Sequence, residues 1–293
     1  MKRDQFLSHV GWTGLGISFV LGSDGVARAA TPGQRIAFAQ VSDSHIGFTG
    51  KVNDHPADTL KMAVDALNAL PQQPAFVVHT GDVTHLAKAD EFGTAHDILA
   101  QLKAPLIVIP GEHDVINAEG GQRFRDTFGR ADAPKGWFSW DAGGVHYVAL
   151  VNVFSGETMG LLGPEQLGWL ANDLQTRSSD TPIVVFGHVP LYALYPKWGW
   201  TTDDGTKALA LLQRFSSVTV LNGHIHQVIE HREGSIRFAT AAATAYPQPA
   251  PGTAPGPGPL AVPPDQLLSV IGYRTVELVE GTATWENHNL RTA

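Results

Sequence analysis

Five apolar runs, Ile36 to Val41, Phe76 to Val78, Leu106 to Ile109, Ile183 to Phe186 and Val218 to Leu221, each break off into a short block containing Gly, Asp, Glu or His. The blocks are Asp43-Ser44-His45, Gly81-Asp82, Gly111-Glu112-His113-Asp114, Gly187-His188 and Gly223-His224-Ile225-His226. Runs this short and rich in Val, Ile and Phe read as buried β-strands. Open α/β sheets carry their active sites where strands end, so the pattern gathers the candidate ligands in one place.

Between the runs, apolar residues switch to helical spacing. Pro56 to Leu70 carries Leu60, Ala63, Val64 and Leu67, and Ala89 to Leu102 carries Phe92, Ile98, Leu99 and Leu102. Gly163 to Leu174 and Gly205 to Phe215 complete four expected helices. Further strands are expected at Trp137 to Trp140, His146 to Val151, Gln227 to His231 and Ile236 to Thr240, with a terminal hairpin of Val270 to Leu278 and Thr282 to Asn287 about Glu280-Gly281. An α/β first half and a hairpin-rich second half fit two packed sheets with helices outside. Residues 246–264, dominated by Pro, Gly and Ala, are expected to be an extended loop, mobile at the surface rather than a lid.

In order and spacing the five blocks resemble the calcineurin-like metallophosphoesterases, whose pattern is D-x-H, GD, GNH[DE], GH and GHxH. The resemblance runs from about Ile36 to about Arg237. It implies a four-layer αββα sandwich of α/β class with two mixed sheets, and a site holding two metal ions. Asp43, His45, Asp82 and His226 would hold the first, and Glu112, His188, His224 and again Asp82 the second. Asp82 would bridge by giving one carboxylate oxygen to each ion. His113 would act as general acid toward the leaving oxygen, with Asp114 holding its imidazole, while a metal-bridging hydroxide attacks in line.

The departure from the family pattern is Glu112, which stands where the family has Asn. Two divalent ions, three carboxylates and a bridging hydroxide sum to zero, whereas Asn would leave one positive charge. A unit charge at about 4 Å is worth up to roughly 4 kcal/mol at an effective dielectric near 20. Iron in the Asp43/His45 half and zinc or copper, with manganese as the fallback, in the other is the expected metal pair.

Composition narrows the partners. Zero cysteines exclude disulfides, thiolate catalysis and Cys-based zinc sites. A formal charge of −8 argues against a nucleic acid polymer and leaves a small phosphate ester as the expected substrate. Lys2-Arg3, an apolar stretch from Val10 to Gly22 and Ala27-Arg28-Ala29 read as an export signal over residues 1–30, twin-arginine-like, too short for a membrane span. A periplasmic address and a single domain over residues 31–293 follow as expectations.

Around the core blocks, His85 on the loop after Asp82, and Tyr192, Tyr195, Trp198 and Trp200 after His188, are candidates for substrate contact, with plain packing as the competing reading. Small phosphomonoesters are the first expected substrate. Gly81-Asp82-Val83-Thr84-His85 and Gly187-His188-Val189-Pro190 also resemble class III cyclic-nucleotide phosphodiesterases, making diesters the alternative. A catalytically silent metal-binding module on the same fold is the rival of another class.

Overall fold

The computed structural model describes residues 18–21, 27–30, 36–154 and 160–291. The export-signal reading falls mostly outside them; within residues 1–30 two short strands are described, β1 (Ser18–Leu21) and β2 (Ala27–Ala30), paired antiparallel.

The first large sheet has the order β13-β12-β3-β4-β5. Its parallel core is β3 (Ile36–Val41), β4 (Val77–His79) and β5 (Leu106–Val108), joined through helices α1 (Pro56–Ala69) and α2 (Ala89–Leu99). The terminal hairpin β12 (Gly272–Val279) and β13 (Thr282–Asn289) adds antiparallel to β3. The second sheet runs β10-β11-β9-β8-β7-β6. In it β7 (Val145–Ala149), β8 (Ile183–Gly187), β9 (Val218–Asn222) and β11 (Ile236–Thr240) are parallel, and β6 (Phe138–Ala142) and β10 (Glu230–Glu233) close the edges antiparallel. Helices α4 (Gly163–Gln175) and α5 (Gly205–Leu212) connect its parallel strands.

Period-two alternation explains the layering. On β8, Ile183 and Val185 pack with α4 and α5, while Val184 and Phe186 turn the other way. On β3, Ala39 and Val41 pack with α1, while Phe38 faces the second sheet. Between the sheets, Phe38 stacks on Phe76 at 4.9 Å and meets Tyr147 and Phe186 edge-on at 6.0 and 5.6 Å. Three apolar layers between two sheets and two helical sides make the four-layer αββα sandwich.

The structure departs from the sequence expectations in four places. Helix α3 (Ala118–Phe128) was not foreseen, because Gly120 and Gly121 dilute its pattern; its Asn117 N-cap accepts from Gly120 N at 2.7 Å. The strand expected at Gln227 to His231 lies at Glu230–Glu233, since Gln227 and Ile229 are tied to Thr240. The hairpin begins at Gly272 because Leu267–Val270 forms a helical turn, α6. The surface-loop reading of residues 246–264 is corrected in its first part. Tyr246 to Pro249 are buried, pinned by His226 Nδ1 to the Tyr246 carbonyl and by Gln248 Nε2 to the His224 carbonyl.

At the start of β7 the buried His146 bridges Asp141 (3.0 Å) and Asp173 (2.7 Å), and Arg177 pairs Asp141 at 2.7 Å. Burial opposes a charged His146, but the hydrogen bonds to Asp141 and Asp173 outweigh it and raise its pKa. A pKa raised on folding stabilises fully below the ordinary value of 6.5 and loses that contribution as pH rises through the folded value. His146→Gln is therefore expected to cost about 1–3 kcal/mol near pH 5.5 and less near pH 9, measured by chemical denaturation at both pH values.

Candidate dinuclear metal centre

The segments after β3, β4, β5, β8 and β9 meet at the C-terminal edges of both sheets. Their backbones are laced together: Asp43 N donates to the Gly81 carbonyl (3.0 Å), His45 N to the Asp82 carbonyl (2.9 Å), and Gly223 N to the His188 carbonyl (3.0 Å). Such tight turns are bought with strain. Asp43, His45, Asp82, His224 and His226 all have left-handed backbone, with φ between 41° and 67°. For a residue with a Cβ this costs on the order of 1–2 kcal/mol each. Gly81 permits close approach, since a Cβ there would overlap the His188 ring, and one at Gly111 would overlap the Asp82 carboxylate.

Two four-residue clusters result, Asp43/His45/Asp82/His226 and Asp82/Glu112/His188/His224, each with its ligand-type atoms within 4.8 Å of one another. All of them are buried save Glu112, which is partly so. Asp82 belongs to both. Its Oδ1 accepts from His113 N at 2.9 Å, and its Oδ2 faces His45 Nε2 at 3.6 Å and His188 Nε2 at 3.4 Å.

The second cluster carries the sharpest sign of a cation. Glu112 Oε2 lies 2.7 Å from His188 Nε2, and Glu112 Oε1 lies 2.8 Å from His224 Nδ1. Yet Glu112 Oε2, His188 Nε2 and both ring nitrogens of His224 are buried without a hydrogen-bond partner. Proximity without donor–acceptor alignment means that these atoms converge on shared space rather than on each other. Burying such groups unpaired costs several kcal/mol, and a metal ion offsets that cost. Two imidazoles and two carboxylates per cluster suit divalent first-row metals.

Outer hydrogen bonds fix the rings. His188 Nδ1 donates to the Thr80 carbonyl (2.7 Å) and His226 Nδ1 to the Tyr246 carbonyl (2.8 Å), so in both rings Nε2 is the nitrogen turned toward its cluster. His45 Nδ1 meets His85 Nδ1 at 3.3 Å, which makes His85 a brace for His45. His79, pushed down to about 4 by burial, stays neutral: Gly81 N donates to its Nδ1, and its Nε2 meets Ser44 Oγ at 3.0 Å. Burial raises Asp43 and Glu112, but His226 outweighs it at Asp43, and His224 with His188 does so at Glu112; both carboxylates are held below their usual range.

His113 lies beside the first cluster, 4.7 Å from the His45 ring and stacked on His85 at 4.9 Å. Its Nδ1 donates to the His85 carbonyl at 2.7 Å, leaving Nε2 as the exchangeable position. Burial opposes its charge, but Asp82 and then Glu112 outweigh it and raise its pKa. Asp114 does not hold the His113 ring, contrary to expectation. Its carboxylate is filled by Gly111 N, Val83 N, Thr84 N and Thr84 Oγ1 at 2.8 to 3.1 Å, so it ties the loop after β5 to the loop after β4.

The aromatic stretch after His188 is packed. Tyr192 lies against His231 and Phe238, and Trp198 against Trp200 and Tyr195, in a cluster with Ile225. Sequence reasoning missed Tyr246, whose ring lies 5.0 Å from His45 and 4.8 Å from His226. It also missed a buried polar web under the site: Gln40 bonds Thr80 and Asn222, and Asn152 and Asn222 share the Val189 carbonyl. Polar residues interrupting or ending apolar strand runs were the available signal.

A family model described as calcineurin-like phosphoesterase matches residues 36–228. The chain is 28% identical over 221 residues to a glycerophosphodiester phosphodiesterase of Enterobacter lignolyticus, covering 71% of this chain and 77% of the relative. It is 26% identical to a cAMP/cGMP dual specificity phosphodiesterase of Mycobacterium tuberculosis, covering 65% of this chain and 61% of that relative. Among solved structures it resembles a dimetal phosphatase from Danio rerio, with TM-score 0.64 and 15% identity, covering 87% of this chain and 96% of that one.

The shared Asp82 sets the expected outcome of metal analysis. Wild type is expected to hold two ions per chain, Asp82→Ala none tightly, and His226→Ala and His224→Ala one each, read by elemental analysis after gel filtration.

Proposed function

The chain belongs to the calcineurin-like phosphoesterase family and is a metal-dependent phosphoric ester hydrolase; from that premise we propose that it acts on small phosphodiesters. Glu112 carries this reading. Its carboxylate faces both His188 and His224 and adds a negative charge to the second cluster. A monoester arrives as a dianion and a diester as a monoanion, so the added charge, worth up to roughly 4 kcal/mol at close range, weighs more heavily against the monoester. The printed names of the two relatives, both phosphodiesterases, support the same direction. Phosphomonoesters, the first expectation from the sequence, are the second reading.

Asp43, His45, Asp82 and His226 would hold one ion, and Asp82, Glu112, His188 and His224 the other. Such a pair supplies a water-derived nucleophile at neutral pH and neutralises the phosphoryl oxygens. The chain's own part is positioning. The Thr80 and Tyr246 carbonyls fix two imidazoles, and His85 braces a third. His113, with Nδ1 committed to the His85 carbonyl, delivers its proton from Nε2 to the leaving oxygen. Iron at the first position and zinc or copper at the second are part of the proposal, as is export to the periplasm.

Rates on bis(p-nitrophenyl) phosphate are expected to exceed those on p-nitrophenyl phosphate, and Glu112→Asn is expected to shift the ratio of kcat/KM toward the monoester by about tenfold or more. A wild type that prefers the monoester would sink the diester reading. His113→Ala is expected to keep both ions and lose about 10²- to 10⁴-fold in kcat. The loss should be larger for alkyl than for nitrophenyl leaving groups; equal losses would remove the acid role.

A further inference from the structure

At the end of the second sheet opposite the metal centre, where β9 and β11 begin, lies a cavity of about 350 Å³. Arg232, Arg237, Ser216, Ser235, Thr219 and Thr282 line it. Strand register sets three of them in a row: Arg232 of β10 stands directly opposite Arg237 of β11, which stands beside Thr219 of β9. Residues paired in this way point to one face of a sheet. That face is the one turned toward the first sheet, because Ala239 and Leu221, two positions along from Arg237 and Thr219, are packed between the sheets. The terminal hairpin closes the cavity from the other side. Arg237 Nη1 donates to the Ala283 carbonyl at 2.7 Å, and Ser217 Oγ donates to the Gly281 carbonyl at 2.8 Å.

Like charges directly opposite each other on two strands destabilise a sheet. Among the described residues neither guanidinium is joined to a carboxylate. Arg232 Nε donates to the Gly234 carbonyl at 2.9 Å, while Arg237 is held by Ala283 and lies over the Trp285 ring at 4.2 Å. The carboxylates nearest along the strand are taken elsewhere: Glu230 accepts from Trp285 Nε1 at 2.8 Å, and Glu233 meets His231 Nε2 at 3.0 Å. Two uncompensated cations thus stand side by side in a chain whose formal charge is −8. The hydroxyls of Ser216, Ser235, Thr219 and Thr282 make no hydrogen bond among the described residues, although Thr219 is only 3% exposed. Charge and donors are both left over at one place.

An anion set between the arginines removes their repulsion and takes up the spare donors. A carboxylate is planar and is matched by one guanidinium, whereas a tetrahedral phosphate accepts from two guanidiniums and several hydroxyls at once. The volume lies at the small end of the roughly 300–1,000 Å³ usual for small-molecule sites, which suits a small ligand and not a polymer. We propose that this cavity binds the phosphate group of a small phosphorylated molecule, at a site separate from the metal centre, with Arg232 and Arg237 supplying charge and the lining hydroxyls supplying hydrogen bonds. The assignment goes beyond the hydrolase reading and does not depend on it.

Amide NMR of the metal-loaded protein, titrated with inorganic phosphate, separates the two locations: residues 216–219, 232–237 and 282–283 report the cavity, and residues 81–82 and 111–113 the centre. The cavity amides are expected to shift along a saturating curve of their own. Phenylphosphonate, which carries the same group on a bond that is not hydrolysed, is expected to bind there at least as tightly. Arg232→Gln and Arg237→Gln are each expected to weaken binding at the cavity about 10-fold, with the curve at the centre and kcat/KM on bis(p-nitrophenyl) phosphate as in wild type. Should Arg237→Gln lose its fold along with the bond to Ala283, Arg232→Gln alone decides. Cavity amides that do not saturate, or that move equally with chloride at matched ionic strength, would overturn the site, as would wild-type binding by Arg232→Gln. Binding of inorganic phosphate with exclusion of phenylphosphonate would overturn its assignment to a phosphorylated molecule.

Discussion

Three carboxylates and four imidazoles packed within a few ångströms of one another are the constraint on which this molecule depends. Without cations such a group would be costly to bury: some side chains pair, but Glu112 Oε2, His188 Nε2 and both His224 nitrogens stay unpartnered. The fold concentrates these groups because five strands end at one edge, and outer hydrogen bonds then turn the His188 and His226 rings so that their Nε2 atoms face the clusters. The Asp82 carboxylate belongs to both clusters, with Oδ2 facing His45 and His188 and Oδ1 accepting from His113 N. That arrangement ties His113 to the shared residue.

Strain and satisfaction are divided between backbone and side chains. Five cluster residues sit in left-handed backbone, a cost that local sequence does not repay, and the surrounding lattice of hydrogen bonds holds them there. Gln40, Thr80, Asn152 and Asn222 form part of that lattice beneath the site. Asp114 and His79 stitch neighbouring loops on either side of Asp82. Residues that never approach a substrate thus determine where the reacting groups stand.

Much of this was legible in the chain. The strand runs gathered the candidate blocks at the strand ends, because period-two burial is a local property, and the resemblance carried by those blocks singled out the seven cluster residues among them. What stayed hidden was non-local or depended on direction. Asp114, adjacent to His113 in sequence, is not the partner of its ring: at the short 3-10 turn Glu112–Asp114 its carboxylate is taken by Gly111 N, Val83 N and Thr84, while His113 Nδ1 goes to the His85 carbonyl. Tyr246 lay in a stretch whose Pro and Gly content suggested only a loop, while its burial comes from contacts with residues far back along the chain. Helix α3 was obscured by paired glycines that its N-cap and tertiary packing override.

The bond from His188 to the Thr80 carbonyl joins residues 108 positions apart and spans the two sheets, and that from His224 N to the Asp43 carboxylate joins residues 181 apart. The residues that would hold the ions are drawn from both sheets, so the centre is complete only where the two halves of the chain dock, and ions bound there would act as a clasp on the sandwich by favouring the docked state.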